Sequence, residues 1–331
     1  MVNMPRIDSF KRTLSGRIEV RYLFAFVLGI LLFTSCQNCS LAGPIRIHLC
    51  YEKNIKTHLE YIAAYKKEIK KAGLNVTYIE SSPENLEHPE NLEAVDYIVS
   101  VGVRAAKKHF SAGYNKPTFY SLLPKNSLPA EDQLKKLACQ PKCVFSILDQ
   151  PVKRQFDLIT HVLPQRTNIG VLYDTQSEAV VKEMPRLTGL YKIKLNKVRF
   201  DKSSSLLANL SPILEKSEVL FAIPDPEIYN RRTARSIILT TYHKKIPIFG
   251  YSEAYTRAGA LFSLHSSPEQ FARQDVEILT NHSRFRYGVV YPKYFTVSVN
   301  KTVARALHLQ IDSASNLTAW LRGNNDISTE D

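Results

Sequence analysis

Several absences narrow the chemistry before any motif is found. The 331-residue chain has no Gly-x-Ser-x-Gly elbow, no Gly-rich phosphate loop and no His-Glu-x-x-His segment. It therefore lacks the local signatures of an α/β-hydrolase nucleophile, a nucleotide phosphate cradle and a zinc peptidase. Triads also assemble from distant positions, but here the acids and histidines share no local context, and the expectation is a non-enzyme without a cofactor. Cysteine is scarce, at five residues. No second Cys or His pair at zinc-like spacing accompanies Cys139 and Cys143, so no metal is expected, and His109 and His265 read as structural or solvated. Basic residues are dispersed, with no aromatic-interleaved ribbon, which argues against a nucleic acid partner. No low-complexity linker divides the chain.

What is present is the composition of a folded, two-core protein. Hydrophobic residues make up 44% and charged residues 23% of the chain, and its length suggests two domains. The formal net charge is +13; residues 1–42 hold five basic residues against two acidic ones, +3, which leaves +10 for the remainder.

Residues 1–42 read as an export segment. Basic residues through Arg21 precede the apolar run YLFAFVLGILLF, Tyr22 to Phe33, shorter than the roughly 18 to 20 residues of a spanning helix. Two cuts are legible. Thr34 and Ser35 before Cys36 are similar to the lipobox of a bacterial lipoprotein, with Cys36 as the lipidated residue, although Phe33 stands where Leu is usual. Ser40 and Ala42 instead give the small-x-small pattern of ordinary signal peptidase. An uncleaved anchor is the third alternative. The expected location is outside the cytoplasm, periplasmic or lipid-anchored at the outer face of a bacterial membrane. In that compartment Cys139 and Cys143 are close enough in sequence to form a small disulfide, while Cys50, inside an apolar strand, reads as a buried free thiol.

From residue 45 on, apolar strands and amphipathic helices alternate. Strands are expected at 45–52, 75–80, 96–103, 116–123 and 144–148, and again at 168–174, 195–200, 219–223, 246–251 and 294–299. Helical spacing fills 55–72, 155–163, 177–190, 203–215, 227–244 and 301–307, with a further helix from Arg104. Continuous apolar strands separated by helices imply parallel sheets covered on both faces. The pattern repeats after about residue 150. The expected fold is α/β, two similar Rossmann-like lobes with parallel sheets joined by hinge strands: an N-terminal lobe at 43–148 with a return near 290–331, and a C-terminal lobe at 149–290. Crossings are expected near 120 and 145 and on the return near 290.

Segments spread over most of the chain carry a resemblance: VSVGVRAA at 99–106, LDQPVKRQFDLITHVLPQRTNIGVLYD at 148–174, VLFAIPD at 219–225, KKIPIFGYSEAYTRAGAL at 244–261 and YPKYFTVSVNKTVARALHL at 291–309. In order and spacing they resemble the ABC transporter substrate-binding protein family typified by tryptophan- and tyrosine-binding lipoproteins. The resemblance implies a type I periplasmic binding protein fold, two lobes closing on a small ligand, delivery to an ABC permease and its ATPase, and no chemistry. A sensory module of the same fold is a second reading, which sequence does not separate from the first.

In open α/β sheets ligands sit outside the carboxyl ends of the strands, near helix N-termini. That rule selects Tyr51 and Glu52, Ser100, Gly102 and Val103, Asp174 and Ser177, Asp225, and Tyr251, Ser252 and Glu253. Asp225 has two readings. It matches an acidic family position suited to a ligand amino group, and, followed by Pro226 and Glu227, it is also a strong helix N-cap. Departures from the family pattern bear on the ligand: Val103 replaces a threonine, Ser146 a glycine, Leu148 a serine, Leu123-Pro124 an Asp-Pro, and Ser252 an acid. An amino-acid-like or aromatic ligand is therefore not transferred from the resemblance alone.

Overall fold

The computed structural model describes residues 43–86, 94–137, 142–281 and 288–324. The expected export segment with Cys36, and Cys139, lie outside these residues. From Ile45 on, the chain forms one compact unit containing two sheets. The first is built from β1 (Ile45–Cys50), β2 (Val76–Ser81), β3 (Tyr97–Val101), β4 (Thr118–Leu123) and β5 (Cys143–Ile147). The second is built from β6 (Asn168–Tyr173), β7 (Lys194–Arg199), β8 (Val219–Phe221), β9 (Ile248–Gly250) and β10 (Phe262–His265). Two late strands, β11 (Gly288–Val290) and β12 (Thr296–Val299), are divided between them.

The first sheet runs β11-β5-β4-β3-β1-β2 with every pair parallel. The second runs β12-β10-β9-β8-β6-β7, parallel except where β12 pairs antiparallel with β10. Every residue of β4 and β5 is buried, as the unbroken apolar sequence requires when both faces are covered. In each lobe the strand order reverses, between β1 and β3 and between β6 and β8. Each sheet thus opens a crevice at the carboxyl end of its strands.

The return differs from the sequence-based expectation of 290–331. The chain re-enters the first lobe earlier, through the helix Pro268–Thr280 and β11, and residues from Phe295 on belong to the second lobe: Phe295, Val297, Leu317 and Leu321 pack in its core. The helix Pro268–Thr280 opens with a full capping box between Ser267 and Gln270 and proline in its first turn. Its apolar face, Phe271, Ala272, Val276 and Leu279, packs with Tyr61, Ile62, Tyr65 and Ile69 of the helix Lys56–Lys71. Asp275, fully buried, accepts hydrogen bonds from Tyr61 Oη at 2.6 Å, Ser121 Oγ at 2.5 Å and Ser146 Oγ, tying this helix to β4 and β5. Burial holds its pKa above the ordinary carboxylate range against those three donors.

The chain therefore crosses between lobes at 148–151, 265–268 and 291–295. The expected crossing near 120 is absent because β4 turns back into the first lobe at Pro124.

Two helices are shorter than their periodicity suggests. Pro185 divides 177–190 into Glu178–Glu183 and Pro185–Tyr191. The helix expected at 227–244 begins only at Ala234. Side chains capture the preceding backbone: Asn230 Oδ1 accepts from Arg232 N and Thr233 N, and Thr233 Oγ1 donates to the Ile228 carbonyl. Cys50 is buried and free, and Cys143 is disulfide-bonded.

Candidate functional site

A cleft of about 990 Å³ lies between the lobes, lined by both and floored by the crossings. The first lobe contributes Val103 and Lys107, the second Asp225 and Tyr251, and the crossings Asp149 and Ser266. Of the residues selected from sequence, Val103, Asp225, Tyr251, Ser252 and Glu253 line this cleft.

The others do not line it, and each has an internal partner. Tyr51 is buried and donates to Glu80 Oε2 at 2.6 Å. Glu52 pairs with Arg104 at 2.7 Å, and Arg104 also reaches Glu84 at 2.6 Å, so one guanidinium clasps the loops after β1 and β2. Ser100, fully buried in β3, is bonded to His109 Nδ1 at 3.0 Å. Gly102 begins the helix Val103–Ala112 at φ +84°, and a Cβ there would stand 2.5 Å from His58 Cε1. The imidazole of His58 thus fills the approach to this helix terminus, where the strand-end rule had placed a ligand. Glycine is required at 102 both by the left-handed backbone and by that ring.

Asp174 and Ser177 stand behind Asp225. Asp225 is 1% exposed. Its Oδ1 accepts from Glu227 N at 3.0 Å and Ile228 N at 3.4 Å, and its Oδ2 from Ser177 Oγ at 2.5 Å and Asp174 N at 3.3 Å. Burial pushes its pKa up, opposed by Ser177 and reinforced by the neighbouring carboxyl of Asp174. Both readings made from sequence are thereby sharpened. Asp225 does cap, but it caps one turn and not the helix at Ala234, and it also braces β6 against β8. Each of its oxygens accepts two hydrogen bonds from its own lobe.

Tyr251 donates to the Tyr229 carbonyl at 3.2 Å and stacks on Tyr255 with ring centroids 5.6 Å apart. Ser252 caps the helix Glu253–Ala258, accepting from Tyr255 N at 3.2 Å. Glu253 pairs with Arg257 at 2.8 Å on the rim.

The crossing residues escaped sequence reasoning. Lys125 reaches Glu183 of the second lobe at 2.8 Å and Tyr291 Oη at 2.7 Å, bridging the lobes at the cleft floor. Asp149 Oδ2 accepts from Lys125 N at 2.6 Å. Burial pushes the Asp149 pKa up, against the Lys125 N–H and ammonium. Gln150 Nε2 donates to Ser266 Oγ at 2.9 Å, joining two crossings. The available signal was proline: Pro124, Pro151 and Pro268 each stand where a strand gives way to a crossing or turn.

Two α/β lobes with parallel sheets, joined by three crossings over a cleft, define the type I periplasmic binding protein fold. Solved structures share the fold. A conserved domain protein from Vibrio cholerae O1 biovar El Tor is 20% identical, covering 83% of this chain and 98% of its own, at a TM-score of 0.55. The ABC domain in complex with L-Trp from Streptococcus pneumoniae is 16% identical, covering 83% and 98%, at 0.57. A ligand-free, open substrate binding protein with adhesive properties from Clostridium difficile is 16% identical, covering 82% and 97%, at 0.65. No curated protein matches the chain significantly. The family model for ABC transporter substrate binding proteins matches residues 80–317; the chain belongs to that family.

Proposed function

We propose that this protein captures a small solute between its lobes outside the cytoplasm and delivers it to an ABC importer. The observation that carries the reading is a cleft of about 990 Å³ whose walls belong to different lobes and whose floor is the crossings. Rotation about those crossings changes the distance between the walls, so a solute touching both binds the closed form better and shifts the population toward it. The Lys125–Glu183 contact spans the same interval. Residues 1–42 are the export segment in this reading, with Cys36 as the candidate lipid anchor, and the lobes are 45–148 with 268–291 and 151–265 with 295–324. The L-Trp bound by the pneumococcal domain makes an aromatic amino acid one member of the panel to test.

The test is a thermal-shift screen of the purified protein against amino acids, amines, nucleosides, sugars and small anions, followed by small-angle scattering with each hit. A stabilising solute that also reduces the radius of gyration is expected. A broad panel without any hit overturns the capture reading.

A further inference from the structure

Resting on that reading, we infer that the captured solute carries a protonated amine and that Asp149 receives it. The argument is the charge balance of the cleft. In a chain of net charge +13, the cleft lining is not basic. Lys56 faces Glu60 at 3.4 Å, Lys125 faces Glu183 at 2.8 Å and Arg257 faces Glu253 at 2.8 Å, so these cations and anions cancel in pairs. Asp225 remains, but four donors of its own lobe consume both its oxygens. Lys107 also remains, but it is exposed on the helix Val103–Ala112, where solvent screens its charge.

Asp149 is the lining acid left over. It is half-buried in the crossing 148–151, its hydrogen-bond donors are main-chain N–H groups, and no cation among the described residues lies within ion-pairing distance of it. The Lys125 N–H fixes one oxygen at 2.6 Å, which holds the carboxylate in a set orientation on the cleft floor. Lys125 and Glu183 are the other charged groups near it, and they neutralise each other. A carboxylate that burial desolvates and that has no ion-pair partner in contact attracts a cation more strongly than any neutral donor. Tyr251, stacked on Tyr255, lines the same cleft and contributes aromatic surface for the rest of an ammonium-bearing solute, whereas the Tyr291 ring already carries the Lys125 ammonium 5.3 Å from its centroid. Because Asp149 lies in a crossing, a solute bound to it stays within reach of both lobes as they close.

The experiment compares the protein with Asp149→Asn. The amide oxygen still accepts the Lys125 N–H, so the ligand-free melting temperature is expected to hold. The probes are ethanolamine, 1,4-diaminobutane and agmatine, with 1,4-butanediol and succinate as uncharged and anionic counterparts. At least one amine is expected to bind by calorimetry, and Asp149→Asn to weaken it about tenfold to a hundredfold, the loss of one charged hydrogen bond. Asp149→Glu, which keeps the charge, is expected to retain binding if the Asn variant proves unstable. Equal amine affinity in the protein and in Asp149→Asn overturns the inference. Binding of uncharged or anionic solutes alone, insensitive to position 149, overturns it while leaving the capture reading intact. If no solute of any class binds, both fall.

Discussion

Replacing Asp225 by alanine separates a ligand contact from a brace. Asp225 accepts four hydrogen bonds within the second lobe, two through each oxygen. In the alanine variant Asp174 N keeps its contact with Ser177 Oγ at 3.1 Å, and the Ser177 hydroxyl can turn to another acceptor. Glu227 N is part-buried and regains water at small cost. Ile228 N is buried, and its loss costs about 1 to 3 kcal/mol. The unpinned turn at 226–229 and the weakened link between β6 and β8 add a comparable amount, while the removal of a desolvated carboxylate returns part of it. The expected net loss is about 2 to 4 kcal/mol, or roughly 4 to 8 °C in melting temperature for a domain pair of this size. Urea unfolding followed by circular dichroism measures it, and calorimetry on the same sample measures affinity for any solute the screen yields. The brace predicts lowered stability with affinity changed only a few-fold. Unaltered stability together with a collapse of affinity would refute the reasoning and return Asp225 to the role of ligand acid.

Gly102→Ala is expected to cost about 2 to 4 kcal/mol, because it combines a left-handed backbone with displacement of the His58 ring. His58→Ala in the same chain should recover part of that loss in urea titrations, and strict additivity would count against the steric account. The buried histidines make the first lobe acid-labile. Burial lowers both His48 and His109 from 6.5 to about 4, so the unfolded chain takes up protons first. Stability is full above pH 6.5 and falls as the pH drops toward about 4. Each contributes on the order of 3 kcal/mol. The gap between urea midpoints at pH 7.5 and 4.5 should narrow in a His48→Gln/His109→Gln variant, and an undiminished gap would exclude these two groups as a cause.

The alternation of strand and helix, the two lobes and most strand positions were legible because buried parallel strands require unbroken apolar runs, and local composition records that requirement directly. Short strands were harder to see. β10 holds four residues and β11 three, too few for a period to register. The start of the helix Pro268–Thr280 is written in Ser267, Pro268 and Gln270, a capping box with proline in the first turn. Helix length failed at 227–233 for a different reason: the apolar spacing is helical there, yet Asn230 and Thr233 bind the local backbone instead.

The sequence by itself determined that the carboxyl ends of the strands would carry the polar groups, Asp225 and the Tyr251 to Glu253 turn among them. Only the tertiary structure decided which of those groups face the cleft, because that depends on partners far away in the chain. Asp225 meets Ser177 and Asp174, Glu52 meets Arg104, and Gly102 meets His58, each across a crevice formed where the strand order reverses. Sequence lists the charges; only their three-dimensional pairing shows that Asp149 is the lining acid left unmatched at the floor.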